Sequence, residues 1–131
     1  MSRYTFKIFG WYILSVFLMI FFSQKCSAQT LVNDKTFEIT QKGVSIVEFW
    51  AEWNKENECS WLKDIDGVDW YRIDVYNYTT TKYEIEVLPT LILFNEGKEV
   101  ERYVGNVAFE ICSIKTSKKI EEELKKIYKD D

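Results

Sequence analysis

The 131 residues are 47% apolar, with one Pro, five Gly and no His, and carry 17 basic against 21 acidic groups for a net charge of −4. That is one domain's length with enough apolar content for a core. Without His there is no Ser-His-Asp triad, no Cys-His dyad and no His-ligated zinc or haem, and three Cys exclude a four-Cys zinc site. No metal and no cofactor is expected.

The chain opens with Arg3 and Lys7, and every residue from 8 to 22 is apolar, Gly or Ser. As a helix that run reaches about 22 Å, short of a bilayer core of roughly 30 Å. A basic start, a short apolar run and the small residues Ser27 and Ala28 describe a secretory signal peptide over residues 1–28, cut after Ala28 to leave Gln29 first. Cys26 stands three residues before the cut. An uncleaved membrane anchor is the alternative; Ser23-Gln24-Lys25 does not fit the approach to a lipidated Cys26. Residues 1–28 hold Arg3, Lys7 and Lys25 but no acid, so residues 29–131 carry 14 basic against 21 acidic groups, a net charge of −7. A phosphate backbone would be repelled, so no nucleic-acid partner is expected. The exported domain, periplasmic or secreted, keeps Cys59 and Cys112 in a compartment that permits disulfides, with no stable membrane association after cleavage.

Asn33-Asp34 caps a short helix predicted over 35–42 and ended by Gly43. Residues 44–50, Val-Ser-Ile-Val-Glu-Phe-Trp, are too dense in apolar side chains for a one-sided strand and read as a central, doubly covered one. A helix is expected over 53–66, with Trp61, Leu62 and Ile65 at helical spacing and Gly67 as its stop. A strand over 68–75 and a helical turn over 79–84 follow. Residues 91–94 and 98–104 form a hairpin about Asn95-Glu96-Gly97. Over 116–128, Ile120, Leu124 and Ile127 recur at steps of four and three among Lys and Glu, an amphipathic closing helix. Lys115, Lys118, Lys119 and the acids at 121–123 form its solvated face. Alternating helix and strand, then a hairpin and a last helix, describe an α/β three-layer sandwich around a mixed sheet.

Three motifs in order give this chain a family resemblance. Glu48-Phe49-Trp50-Ala51-Glu52-Trp53 resembles the strand-end segment of thioredoxins, and Val87-Leu88-Pro89-Thr90-Leu91-Ile92-Leu93-Phe94 resembles their cis-proline strand. Asn95-Glu96-Gly97 and Val104-Gly105 fall where that family has its hairpin turn and following glycine. The resemblance runs from about residue 34 to 127 and implies a thioredoxin-like fold.

The departure carries as much information. Thioredoxins follow this tryptophan with Cys-Gly-Pro-Cys at a helix N-terminus; here Trp53 is followed by Asn54-Lys55-Glu56-Asn57. Dithiol exchange needs an attacking thiolate and a resolving thiol, and neither stands there. Asn54 and Asn57 are expected to cap the first turn of the helix instead, and nine residues between Asn57 and Gly67 make that helix short.

Cys59 is the one thiol near the former dithiol. It lies past the first turn, where a helix dipole fades, and Glu56 and Glu58 oppose its ionisation. A structural thiol is the expectation, and a Cys59–Cys112 bridge is an open alternative. The resemblance also makes Glu48 a relic of the family's buried acid or, alternatively, simply a hydrogen-bonded or burial-shifted carboxyl. It implies a cis bond at Pro89, with Trp53, Leu88, Pro89 and Thr90 as a partner-binding edge or, equally, as architecture only. Trp50, Trp61, Trp70, Tyr71, Tyr76, Tyr78 and Tyr83 read mostly as packing. Asn77-Tyr78-Thr79 matches a glycosylation sequon that is frequent by chance. The function read from the sequence is an exported thioredoxin-fold protein without the dithiol, redox-inactive and binding an unidentified polypeptide partner. The alternatives are a thiol-disulfide oxidoreductase using Cys59, resolved by Cys112 or an external thiol such as glutathione, and a structural accessory domain.

Overall fold

A computed structural model describes residues 29–111 and 113–130. The expected leader over 1–28 with its cut after Ala28, and Cys112, lie outside the described residues. β2 (Val44–Trp50) is the middle strand. Its β-branched and aromatic side chains alternate across two covered faces, so all five residues from Ser45 to Phe49 are buried. β3 (Asp69–Asp74) lies parallel to it on one side, with β1 (Thr30–Val32) parallel beyond. β4 (Thr90–Asn95) and β5 (Lys98–Val104) run antiparallel on the other side, giving the order β1-β3-β2-β4-β5. Glu96 and Gly97 both take positive φ, 49° and 80°, which closes the two-residue hairpin with the hand its twist requires.

Alternation sorts the core onto two faces. Ile46, Leu91 and Leu93 meet Leu62, Ile65, Ile120 and Leu124 on one. Val47, Phe49, Ile92 and Phe94 meet Val32, Phe37 and Leu88 on the other. Each such side chain, fully buried, contributes roughly 1.5–3 kcal/mol. The closing helix, here α2 (Ser113–Lys129), buries Thr116, Ile120 and Leu124 as its spacing requires. Its Tyr128 hydroxyl donates to the Gly67 carbonyl and ties the helix end to the loop before β3. The fold is a mixed five-stranded sheet with helices on its faces.

Three local expectations change. The helix over 35–42 is a 3-10 turn, Phe37–Gln41. The helix over 53–66 is two 3-10 turns, Glu52–Asn57 and Ser60–Asp64, separated at Glu58 and Cys59. The cause is Glu48, whose Oε2 accepts the Cys59 N–H at 2.6 Å and removes that donor from any helical ladder. A third change is β1, a three-residue strand that the sequence did not announce. Between β3 and β4 stands α1 (Tyr78–Lys82), fastened by Asp34 of the loop after β1. Asp34 accepts the N–H groups of Tyr78 (2.9 Å) and Thr79 (2.8 Å) and the Thr79 hydroxyl (2.7 Å). These bonds hold the Asp34 carboxyl below its usual range, the Thr79 hydroxyl foremost. Asn77, the sequon residue, is engaged by Asp34 N–H and the Asp74 carbonyl.

Candidate functional site

β2 ends at Trp50 beside the start of β4, and this end of the sheet carries the segment 53–59. Asn54 and Asn57 do not cap a helix; neither 3-10 turn has a side-chain cap. Asn57 Nδ2 donates to Asn54 Oδ1 at 2.9 Å, and Asn54 Nδ2 donates to the Phe109 carbonyl at 3.1 Å. With no continuous helix there are no aligned first-turn N–H groups to cap, so the amides bind each other and the loop after β5. Asn54 is buried, and Trp53, 62% exposed, stacks edge-to-face on Phe109 with centroids 5.3 Å apart.

The loop that brings Phe109 here is built around Asn106. Its Oδ1 accepts the Ala108 and Glu110 N–H groups at 2.8 and 3.1 Å, and its backbone exchanges bonds with Phe109 and Glu110. Phe109 is held at φ 59°, a region disfavoured for an aromatic residue. Sequence reading missed both Asn106 and Phe109; Asn106, following Gly105, was the one turn former that could have marked the loop.

The Leu88–Pro89 bond is cis. Of the four residues expected at a partner-binding edge, Trp53 is exposed while Leu88, Pro89 and Thr90 are buried. Gly105 closes over them. Its N–H donates to the Pro89 carbonyl at 2.9 Å, and a Cβ there would meet the Pro89 and Leu88 carbonyl oxygens at 3.0 and 3.1 Å.

Behind the asparagines lies a buried ion cluster. Glu48 is fully buried, with Oε1 accepting from Arg72 Nε at 2.8 Å and from Gln29 Nε2 at 3.4 Å. Arg72 Nη1 bridges to Glu58 at 2.9 Å, and its guanidinium lies over the Trp50 ring at 4.6 Å and the Trp70 ring at 5.9 Å. Strand register accounts for the pair, since Glu48 and Arg72 are direct partners across β2 and β3. Glu48 is thus a hydrogen-bonded structural anchor for Arg72 and for the Cys59 backbone, the second of the two readings open from the sequence. The signal for Arg72 was present: a lone cation amid the apolar residues of 68–75.

Cys59 is a free thiol, 1% exposed, within the apolar cluster of Leu62 and Ile120. Burial pushes it well above the ordinary thiol range; the Glu48 charge and its hydrogen bond add to the rise, and Arg72 opposes it. A thiol held protonated and away from solvent is a poor nucleophile. Among the described residues no group of three or more His, Cys, Asp or Glu side chains could hold a metal ion.

Comparison with known proteins places this geometry. The thioredoxin family model matches residues 28–117. The chain belongs to the thioredoxin family. It is 36% identical over 86 residues to thioredoxin of Staphylococcus haemolyticus, spanning 56% of this chain and 81% of that one. Over the same coverage it is 34% identical to thioredoxin of Staphylococcus aureus. Among solved structures, Malassezia sympodialis thioredoxin superposes with a TM-score of 0.62 at 21% identity, over 74% of this chain and 91% of that one. A mutant thioredoxin of Halobacterium salinarum gives the same TM-score and identity over 76% and 94%.

Proposed function

We propose that this thioredoxin-family chain is an exported protein that does not exchange disulfides and acts by binding a polypeptide partner. The observation that carries the reading is the Asn54–Asn57–Phe109 chain of hydrogen bonds. It fills the dithiol position with two amides that bind each other and a neighbouring carbonyl. A redox pair needs a thiolate within reach of a second thiol, whereas here the nearest described thiol is buried beneath the cluster. Beside the charged Glu52, Lys55 and Glu56, this end exposes aromatic side chains to solvent: Trp53 on Phe109, with Tyr76 and Tyr78 after the parallel strand β3. Exposed, rigid aromatic side chains are the anchors that polypeptide interfaces favour.

Export rests on the basic start, apolar run and small residues of 1–28. The test is recovery of tagged protein from the exported fraction, with mass spectrometry of its N-terminus and of co-purifying chains. Wild type should begin at Gln29 and carry a partner that Trp53→Ala loses. An exported species that retains residues 8–22, or capture indifferent to Trp53→Ala, would contradict the reading.

A further inference from the structure

The break at Glu58 and Cys59 leaves more than a disarmed site. Three clefts run in a row between the two 3-10 turns on one side and the loop after β5 and α2 on the other. The first, about 410 Å³, lies between Glu58 and Glu110, with Trp61 on its wall. The second, about 220 Å³, shares Trp61 and Ser113 with it and adds Asp64, Ile114 and Glu121. The third, about 560 Å³, shares Asp64 and Glu121 with the second and runs on past Leu124 to Tyr128. Together they follow α2 for most of its length, about 25 Å for 17 residues, which an extended segment of roughly seven residues would span.

The charge along the first two clefts of this groove is one-sided. Glu58, Asp64, Glu110 and Glu121 line the first two clefts, and no Lys or Arg among the described residues lines either. Arg72 neutralises part of Glu58 from behind. The half-positive start of α2 at Ser113 offsets a further fraction of a charge. Lys125 and Lys129 appear only in the third cleft, opposite Asp64, Asp66 and Glu121. Between the acids the wall is apolar: Trp61 and Ile111 are half-buried and Ile114 is 77% exposed. Carboxylates spaced around an indole and branched aliphatic side chains are chemistry for cationic side chains alternating with apolar ones. A second copy of this domain, at net charge −7, is a poor occupant.

We infer that the groove between the 3-10 turns and α2 docks an extended partner segment bearing Lys or Arg among apolar residues. The inference rests on the partner-binding reading and names the partner's chemistry and a docking surface separate from Trp53. The test uses the exported protein and two fluorescent seven-residue peptides, one alternating Lys with Leu and one alternating Glu with Leu, followed by anisotropy. The Lys peptide should bind and weaken with added salt, and the Glu peptide should not bind. Glu110→Lys and Glu121→Lys, both exposed, should each weaken binding roughly fivefold, while Glu38→Lys on the far turn should leave it within about twofold. No binding, equal binding of both peptides, or equal loss in all three variants would overturn the inference. Binding by the exported protein that the uncleaved precursor does not show would make the leader the occupant, and self-association abolished by Glu121→Lys would make it a second copy; either overturns it. Failure here with Trp53-dependent capture intact removes the groove and leaves the proposed function standing.

Discussion

Arg72→Ala should be the most damaging single change outside the apolar core. The substitution removes the partner of a fully buried carboxylate, the bridge to Glu58 and the cation stacked over Trp50 and Trp70. Stranding a buried charge costs about 3–5 kcal/mol, a large part of the ~5–15 kcal/mol that holds a domain folded. At about 4–8 °C per kcal/mol for a domain of this size, the melting temperature should fall by more than 10 °C. Replacing both partners, Glu48→Leu with Arg72→Leu, removes the stranded charge and should cost clearly less than the two single changes added together. The double variant keeps one penalty, because the Cys59 N–H loses its acceptor. Urea unfolding of wild type, Glu48→Leu, Arg72→Leu and the double variant completes the cycle, with Arg72→Ala measured beside it. An Arg72→Ala cost below about 1 kcal/mol, or strict additivity, would refute the assignment of this pair as the internal anchor.

Gly105→Ala should destabilise by roughly 1–3 kcal/mol, because the new Cβ meets two backbone carbonyl oxygens and the Pro89 ring at 3.0–3.1 Å; thermal melting checks it. Asp34 titrates below its unfolded value, so its contribution is present above about pH 4 and is lost as pH falls through the lower folded value. Asp34→Ala should therefore narrow its stability deficit in acid, read from urea midpoints against pH. Cys59 is raised, so the stability of its protonated form is full below about pH 8.5–9 and falls as pH rises further; Cys59→Ala should flatten the alkaline limb. Cysteines installed together at Asn54 and Asn57 should give at most weak disulfide reduction, since those positions lie on a kinked 3-10 turn rather than at a helix start.

What was legible in the sequence follows from where each signal resides. β2, the 95–98 hairpin and the closing helix carry their cause locally, in alternating β-branched residues, in a Gly at positive φ and in Ile120–Leu124–Ile127 spacing. The segment 53–66 has helical spacing at Trp61, Leu62 and Ile65, yet a carboxylate eleven residues before Cys59 takes its amide and splits the helix. No local pattern reports that competition. β1 exists because β3 offers it an edge, and three residues cannot announce a strand by period. At the site, Asn54 and Asn57 were visible as replacements, but their bonds to each other and to Phe109 depend on a loop 55 residues away. Arg72 needed the register of β2 on β3 before its partner could be named.

Turnover of a disulfide substrate by the wild-type protein bears most directly on the central claim. Insulin reduction with an external thiol as electron source should proceed at the uncatalysed rate. Native Cys59 should meanwhile resist alkylation at neutral pH and react only when the protein is unfolded, as its burial and suppressed ionisation require. Catalysed reduction that Cys59→Ser abolishes, with rapid alkylation of the native thiol, would contradict the claim and make this chain an oxidoreductase.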